Sequence, residues 1–278
     1  MRLRALRQLP ARLPGKLRLA QAFLRKIQAR EDVLIESLSG ARFFVPHLSE
    51  PLAFHLLVNG CYEPETDNFI LGHLKPGDAF IDAGANIGLF AVSAARKVGA
   101  EGRVVAIEPS PTVFRYLQRN VESNLLDNVT AMRVAASDEN REAAPFYAAP
   151  MDHFGMGALA PQFHHEPCVV KTRTLDDILT ASKLRRVAVL KVDVEGHEAA
   201  VFRGAKELLV NSPAPAIIFE FCDWAEARFQ GGYPGQAQEF LMSLGYSIWL
   251  LADHGYRGRP LKTPLTRGSA MLVAERSI

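Results

Sequence analysis

The first thirty residues of this 278-residue chain hold no aspartate or glutamate, although they carry nine lysines and arginines. The remaining 248 residues hold 23 basic against 30 acidic side chains, so a formal net charge of +2 conceals a basic arm on a mildly acidic body. A body of that sign is a poor general binder of nucleic-acid backbones. Cysteine is scarce. Cys61, Cys168 and Cys222 are far apart and form no C-x-x-C pair, which argues against a zinc site or redox pair and favours a reduced, cytoplasmic compartment. Long apolar runs are missing too. A stretch such as Ile248–Ala252 falls far below the ~18 residues that span a bilayer. The arm has no clean apolar segment bounded by charge, so it does not read as a signal peptide.

Two familiar phosphate-binding patterns are also absent. No G-x-G-x-x-G opens a helix, and no G-x-x-x-x-G-K-[ST] occurs. A hydrophobic share of 48% with 22% charged residues is nevertheless ordinary for a globular chain with one sizeable core.

The chain divides into a basic arm with a small hairpin over residues 1–50 and a larger domain over 51–278. Leu17, Ala20, Leu24 and Ile27, with Phe23 beside them, give Lys16–Arg30 a helical stripe. Its basic residues suit either peripheral contact with an anionic membrane or a helix packed on the domain with a solvated face. Val33–Ile35 and Arg42–Val45 predict a hairpin joined near Ser39–Gly40. Residues 50–74 read as helical, broken between Gly60 and Pro64.

A strand–helix alternation follows. Ala79–Ile81, Val104–Ile107, Asn128–Val134, Val187–Leu190 and Ala216–Phe219 predict strands, closed by Ser247–Leu251 and Ala270–Val273. Helices are expected over about Gly88–Val98, after Ser110–Pro111, at Thr174 with a capping box to Asp177, over Glu198–Val210 and over 235–244. Residues 139–168 read as an irregular stretch. Alternation of this kind predicts an α/β fold with a mostly parallel sheet covered on both faces.

The chemistry concentrates in Asp82-Ala83-Gly84-Ala85-Asn86-Ile87-Gly88, where a strand becomes a helix. Gly84 and Gly88 allow a sharp turn and close approach of a ligand, at the strand ends where open α/β sheets bind ligands. Asp82 there repels phosphates and suits an ammonium or sulfonium group; Asn86 is a second polar group in the turn. Glu108 ends the next strand, placed to accept hydrogen bonds from a ribose. Ser137 and Asp138 follow the third strand, at the adenine end. Together these describe a pocket for S-adenosylmethionine.

At the fourth strand end, Asp193, Glu195 and His197 are the candidate catalytic groups on the acceptor side, with the helix dipole favouring neutral His197. A structural charge network among Lys191, Asp193 and Glu195 is the alternative. Asp193 with Glu220 gives only two hard oxygen ligands, so no metal is assigned. His153, His164 and His165 sit in a stretch that reads as a lid or as plain surface. Trp224, Phe229 and Tyr233 offer flat faces to a sugar or lipid, or simply pack.

In order, Gly60-Cys61-Tyr62-Glu63-Pro64-Glu65-Thr66, the Asp82–Gly88 turn, Ile107-Glu108-Pro109-Ser110-Pro111, Thr174-Leu175-Asp176-Asp177 and Leu190–Glu198 resemble the FkbM-type methyltransferases. The resemblance runs from about residue 55 to 222. It implies a class I methyltransferase fold, Rossmann-like and doubly wound, with seven strands in the order 3-2-1-4-5-7-6 and the last antiparallel, here with a small N-terminal helical and hairpin extension. It also implies S-adenosylmethionine as cofactor, Glu63 among the residues that hold it, and O-methylation of a sugar, glycan or natural-product hydroxyl. The alternatives are a nicotinamide-dependent oxidoreductase or epimerase, which lacks its glycine fingerprint here, and a non-catalytic methyltransferase-like binding domain.

Overall fold

The computed structural model describes residues 7–9, 13–28, 30–163, 166–184, 186–211 and 213–276, with side chains throughout except at 23–28. His164 and His165, the side chains of Phe23, Leu24 and Ile27, and much of the basic arm therefore lie outside the described residues.

The N-terminal part comprises helix α1 (Lys16–Gln28), the antiparallel hairpin β1 (Glu31–Glu36) and β2 (Arg42–His47), and helices α2 (Pro51–Asn59) and α3 (Pro64–His73). The break between α2 and α3 falls where Gly60 takes a left-handed φ of 75°. Then come β3 (Ala79–Ala83), α4 (Leu89–Val98), β4 (Arg103–Ile107), α5 (Pro111–Ser123) and β5 (Val129–Met132). Ser110 caps α5, its Oγ accepting the Val113 N–H at 3.4 Å, with Pro111 in the first turn. Short β6 (Ala135–Ala136), β7 (Arg141–Phe146) and β8 (Cys168–Arg173) follow, then α6 (Leu175–Ser182), capped by Thr174. The chain finishes with β9 (Val189–Val192), α7 (Glu198–Arg203), α8 (Lys206–Val210), β10 (Ala216–Cys222), α9 (Asp223–Glu226), α10 (Gln236–Ser243), β11 (Tyr246–Leu251), β12 (Arg257–Pro260) and β13 (Ser269–Arg276).

The main sheet runs β12-β11-β13-β10-β9-β3-β4-β5. The five strands from β10 to β5 are parallel, and β13 pairs antiparallel with both β10 and β11. With β12 set aside, the seven remaining strands stand in the expected order 3-2-1-4-5-7-6, the last antiparallel. Alternate residues serve opposite layers. Ile81, Ile217 and Phe219 face a core with Val201, Phe202 and Leu241, while Phe80 and Ile218 face one with Phe69, Phe90 and Leu117.

Three features depart from the sequence reading. The irregular stretch contains strands: β6, β8 and β7 form a separate three-stranded sheet. Pro145 hides β7 from pattern reading, yet it is tolerated because β7 is an edge strand. Arg-Gly-Arg-Pro in β12 likewise carries no strand signal and sits at the edge. The helix expected over Glu198–Val210 splits at Gly204, where any Cβ would lie 2.0 Å from the Ser137 carbonyl oxygen.

The hairpin packs into the domain. Ile35, Phe43 and Val45 share a core with Ile87, Val113 and Phe154. Fully buried Asn120 of α5 ties it down, accepting the Phe44 N–H at 2.7 Å and donating to Phe44 O at 3.1 Å and Ile87 O at 2.8 Å.

Candidate active site

A cavity of about 280 Å³ opens at the carboxyl ends of β3, β4, β9 and β10. Its floor is the turn after β3. There Gly84 and Ala85 both donate to Ile107 O, at 3.0 and 2.9 Å, which bends the chain sharply off the strand. Gly84 has φ +82°, and a Cβ on it would lie 1.8 Å from Asp193 O, so the ends of β3 and β9 touch there. Gly88 is not part of the lining. Its bare backbone lets the start of α4 approach Leu117, whose side chain would be 2.7 Å from a Cβ.

Glu108 stands at the end of β4 and clamps two turns at once. Its Oε2 accepts the Asn86 N–H at 3.0 Å and its Oε1 accepts the Ser110 N–H at 2.9 Å. Burial pushes its carboxyl up to about 7, against those two hydrogen bonds. Asn86 itself is held at φ +51°, its Oδ1 accepting the Ile87 N–H at 2.8 Å.

Asp82 does not face the cavity. It is fully buried beneath it, with Oδ1 3.5 Å from Lys191 Nζ. Between Asp82 and the cavity stands Lys191, which also meets Asp193 at 3.1 Å. Burial opposes the Lys191 ammonium, but Asp193 and Asp82 outweigh it and hold its pKa above the ordinary value.

Around Lys191 the wall is strongly acidic. Glu63, Asp193, Glu195 and Glu220 line it, with Glu50 across the opening. Burial is the leading cause that pushes Glu50 up to about 7, Glu195 to about 8 and Glu220 to about 9, with Asp193 adding to the last two. Glu63 is raised by burial and Asp193, and accepts the Thr66 hydroxyl at 3.1 Å. Glu63, Asn86 and Glu195 are three of the seven non-glycine residues at positive φ among the described residues, and all three line this cavity. Backbone strain of that kind gathers at ligand sites.

Asp193, Glu195 and Glu220 each offer a carboxylate oxygen within 4.8 Å of the other two. The sequence alone paired only Asp193 with Glu220; the left-handed turn at Glu195 and Gly196 adds the third.

His197 caps the wall between this cavity and a neighbouring one of about 550 Å³. Its Nε2 lies 3.0 Å from Ser137 Oγ and its ring centroid 4.8 Å from that of Phe229. Burial, with Arg203 and Arg141 nearby and Asp138 opposing, lowers its pKa to about 4. It is neutral, as the sequence reading expects, but burial rather than the helix dipole leads. Ser137 and Asp138 line the neighbouring cavity; Ala135 and Ala136 take the places expected for them in the first.

Part of the irregular stretch lines the cavity, from Phe154 to Leu159. The 3-10 turn Met151–Met156 is held by Phe154, which is buried in the hairpin core. His153 points outward to Asp152, 3.2 Å away. Trp224 and Tyr233 are exposed, and Tyr233 donates to Glu239 at 2.6 Å. Glu50 and Tyr62, both in the lining, were not singled out from the sequence. Tyr62 had a signal, adjacency to Glu63; Glu50 precedes a helix-starting proline and carries none.

The family model described as "Methyltransferase FkbM domain" matches residues 82–257. The chain belongs to that family. "Methyltransferase 1" of Beauveria bassiana is 27% identical over 279 residues, covering 92% of this chain and all of that protein. "Hexuronic acid methyltransferase AglP" of Haloferax volcanii is 27% identical over 186 residues, 66% of this chain and 73% of that one. Among solved structures, Methyltransferase FkbM from Methylobacillus flagellatus is 18% identical with a TM-score of 0.44, covering 80% of this chain and 52% of that one. The chain is thus a methyltransferase, and the oxidoreductase alternative falls away.

The FkbM match begins at Asp82 and takes in Glu108, the Asp193–His197 turn and Glu220, whereas Glu50, Tyr62 and Glu63 precede it. This methyltransferase cavity also suits the cofactor its family implies. Six carboxylates, Glu50, Glu63, Glu108, Asp193, Glu195 and Glu220, against one ammonium, Lys191, favour a cationic ligand. No helix among the described residues is long and apolar enough to cross a membrane.

Proposed function

We propose that the chain is an S-adenosylmethionine-dependent O-methyltransferase acting on a hydroxyl of a saccharide or natural-product-like acceptor. The observation that carries this reading is one cavity with Glu108 held by two backbone N–H groups at one end and an acidic cluster around Lys191 at the other. Glu108 suits a ribose, with Asn86 beside it, and the cluster suits a positively charged tail. The name of the Haloferax volcanii relative brings a saccharide acceptor into view.

When bound, S-adenosylmethionine supplies an electrophilic methyl group, which the acceptor oxygen takes while the sulfur keeps its bonding electron pair. The chain's own part is to orient and to hold a proton. An acceptor hydroxyl must lose its proton to become a competent nucleophile. Glu195 and Glu220, pushed up to about 8 and 9, hold their protons over most of the neutral range and, once ionised, as when a cationic cofactor sits beside them, are carboxylates basic enough to take it. Asp193 fixes the end of β9 through Lys191 and raises both of those carboxylates. His197, neutral and hydrogen-bonded to Ser137, forms the adjoining wall.

Calorimetry with S-adenosylmethionine and a labelled-methyl screen over saccharides, phenols and polyketide-like alcohols test this. Expected are cofactor binding and transfer that Asp193→Asn and Glu195→Gln each reduce strongly. A silent cofactor titration leaves the non-catalytic binding domain standing. A second reading has the Asp193, Glu195 and Glu220 oxygens hold a hard divalent cation. Activity that survives exhaustive dialysis against EDTA excludes it.

A further inference from the structure

The cavity behind His197 is separate from the one that holds Glu108 and Lys191. It lies between the small sheet of β6, β8 and β7 and the segment after α9, and it meets the first cavity at Leu159 and His197, which line both. Three arginines line it. Two are already neutralised: Arg203 places Nε and Nη2 each 3.0 Å from Asp138 Oδ2, and Arg141 pairs with Glu139.

Arg228 differs. Its Nε and Nη2 are both shielded from solvent and have no hydrogen-bond partner. These two atoms form one edge of the guanidinium, the fork that matches a two-oxygen anion with parallel N–H···O bonds. Stacking of the guanidinium 4.4 Å from the Trp224 ring centroid holds its plane. Glu195 of the first cavity attracts Arg228 electrostatically without a hydrogen bond to either Nε or Nη2, and Glu226, the acid in the same wall, directs Oε2 to the Gly235 N–H at 2.6 Å. A desolvated fork without acceptors is costly unless a ligand supplies them. It also sits one side chain away from the reacting end: Phe229, its neighbour in sequence, packs on His197.

We infer that Arg228 is a specificity-determining residue that binds a carboxylate or phosphate of the methyl acceptor, so that the acceptor is an acidic saccharide or a similar anionic alcohol spanning both cavities. This rests on the methyltransferase reading above and narrows its substrate class.

The test is calorimetry on the full chain, with and without S-adenosylhomocysteine, using p-nitrophenyl glucuronide, p-nitrophenyl glucoside and glucose 6-phosphate as probes. The wild type is expected to bind the glucuronide at least about tenfold more tightly than the neutral glucoside, the scale of one charge-assisted bidentate pair. Arg228→Gln is expected to erase that ratio, and Arg228→Lys to restore only part of it, since an ammonium keeps the charge but not the fork. S-adenosylhomocysteine affinity should stay unchanged in both variants and the melting temperature should not fall, which separates lost recognition from lost folding. Tighter binding of glucose 6-phosphate than of the glucuronide assigns the anion to phosphate, the reverse order to carboxylate. A wild-type ratio near one, an unchanged ratio in Arg228→Gln, or no binding by either anion overturns the inference. If S-adenosylhomocysteine itself fails to bind, the cofactor reading falls, and the ratio in the cofactor-free chain still decides for or against the Arg228 fork.

Discussion

Asp82 and Lys191 are register partners on adjacent parallel strands, β3 and β9, and they form an ion pair at 3.5 Å with almost no exposure of either side chain. Asp82 lies beneath the cavity, while Lys191 reaches its lining from the neighbouring strand. The pair binds the two strands whose ends carry the glycine turn and Asp193, so charge at the site is set partly from below.

Removing one partner of a buried pair leaves the other uncompensated, at a cost of about 3–5 kcal/mol. Lys191→Met should therefore unfold at markedly lower urea concentration than the wild type. The double variant Asp82→Asn, Lys191→Met should be less destabilised than the sum of the two single changes. Additivity within about 0.5 kcal/mol would show the two residues to be energetically independent.

Glu108 is expected to act on the cofactor as well as on the turns. Glu108→Gln retains the shape and one oxygen acceptor but loses the charge, and a charge-assisted hydrogen bond is roughly twice as strong as a neutral one. We expect S-adenosylhomocysteine affinity to fall about tenfold, read by calorimetry, with a smaller drop in melting temperature from the weakened Asn86 and Ser110 contacts. An unchanged affinity would confine Glu108 to holding the two turns.

Much of this architecture was legible because its signals are local. The apolar core strands, the Ser110-Pro111 and Thr174 helix starts and the Asp82–Gly88 turn each carry their physics within a few residues. The strand order came from the family resemblance. What could not be read depends on contacts between distant residues. Gly204 looks like a helix interior until Ser137 O is placed against it. Asp82 looks like a ligand contact until Lys191 lies across from it. Glu50 follows a hairpin that docks on α5 through Asn120, a contact distant in sequence, and it lines the cavity from there. Edge strands β7 and β12 escape pattern reading because edges tolerate proline and charge.

Gly84→Ala offers a direct check on the contact between β3 and β9. The added methyl meets the Asp193 carbonyl, a backbone atom with no freedom to turn aside, and a positive φ adds roughly 1 kcal/mol or more of strain. The variant should lose cofactor binding and melt at lower temperature than Gly88→Ala, whose obstacle is the flexible end of Leu117. The opposite ranking would argue that α4 packing, rather than strand-end approach, governs the site.

The cavity carboxylates Glu195 and Glu220, with buried Glu198 beside them, give the cofactor-free protein an unusual pH dependence. Glu220, Glu195 and Glu198 are pushed up to about 9, 8 and 8, above the ~4.3 of an unfolded glutamate. Across pH 6.5–8 the unfolded chain has already released these protons while the folded chain still holds part of them. Stability is therefore greatest below the unfolded value and is lost as pH rises through the folded ones. His197 works in the other direction, but only below about 6.5, because its folded value is near 4. The thiols Cys61, Cys168 and Cys222 are all raised, which gives the same sign as the carboxylates at the upper edge of the window. The melting temperature of the cofactor-free chain should thus fall steadily from pH 6.5 to 8, and Glu220→Gln should flatten the slope. Saturating S-adenosylmethionine, by bringing positive charge to the ionised cluster, should flatten it as well. A melting temperature that rises over this interval would mean that these glutamates are ionised in the folded protein, with their charge already balanced by another partner.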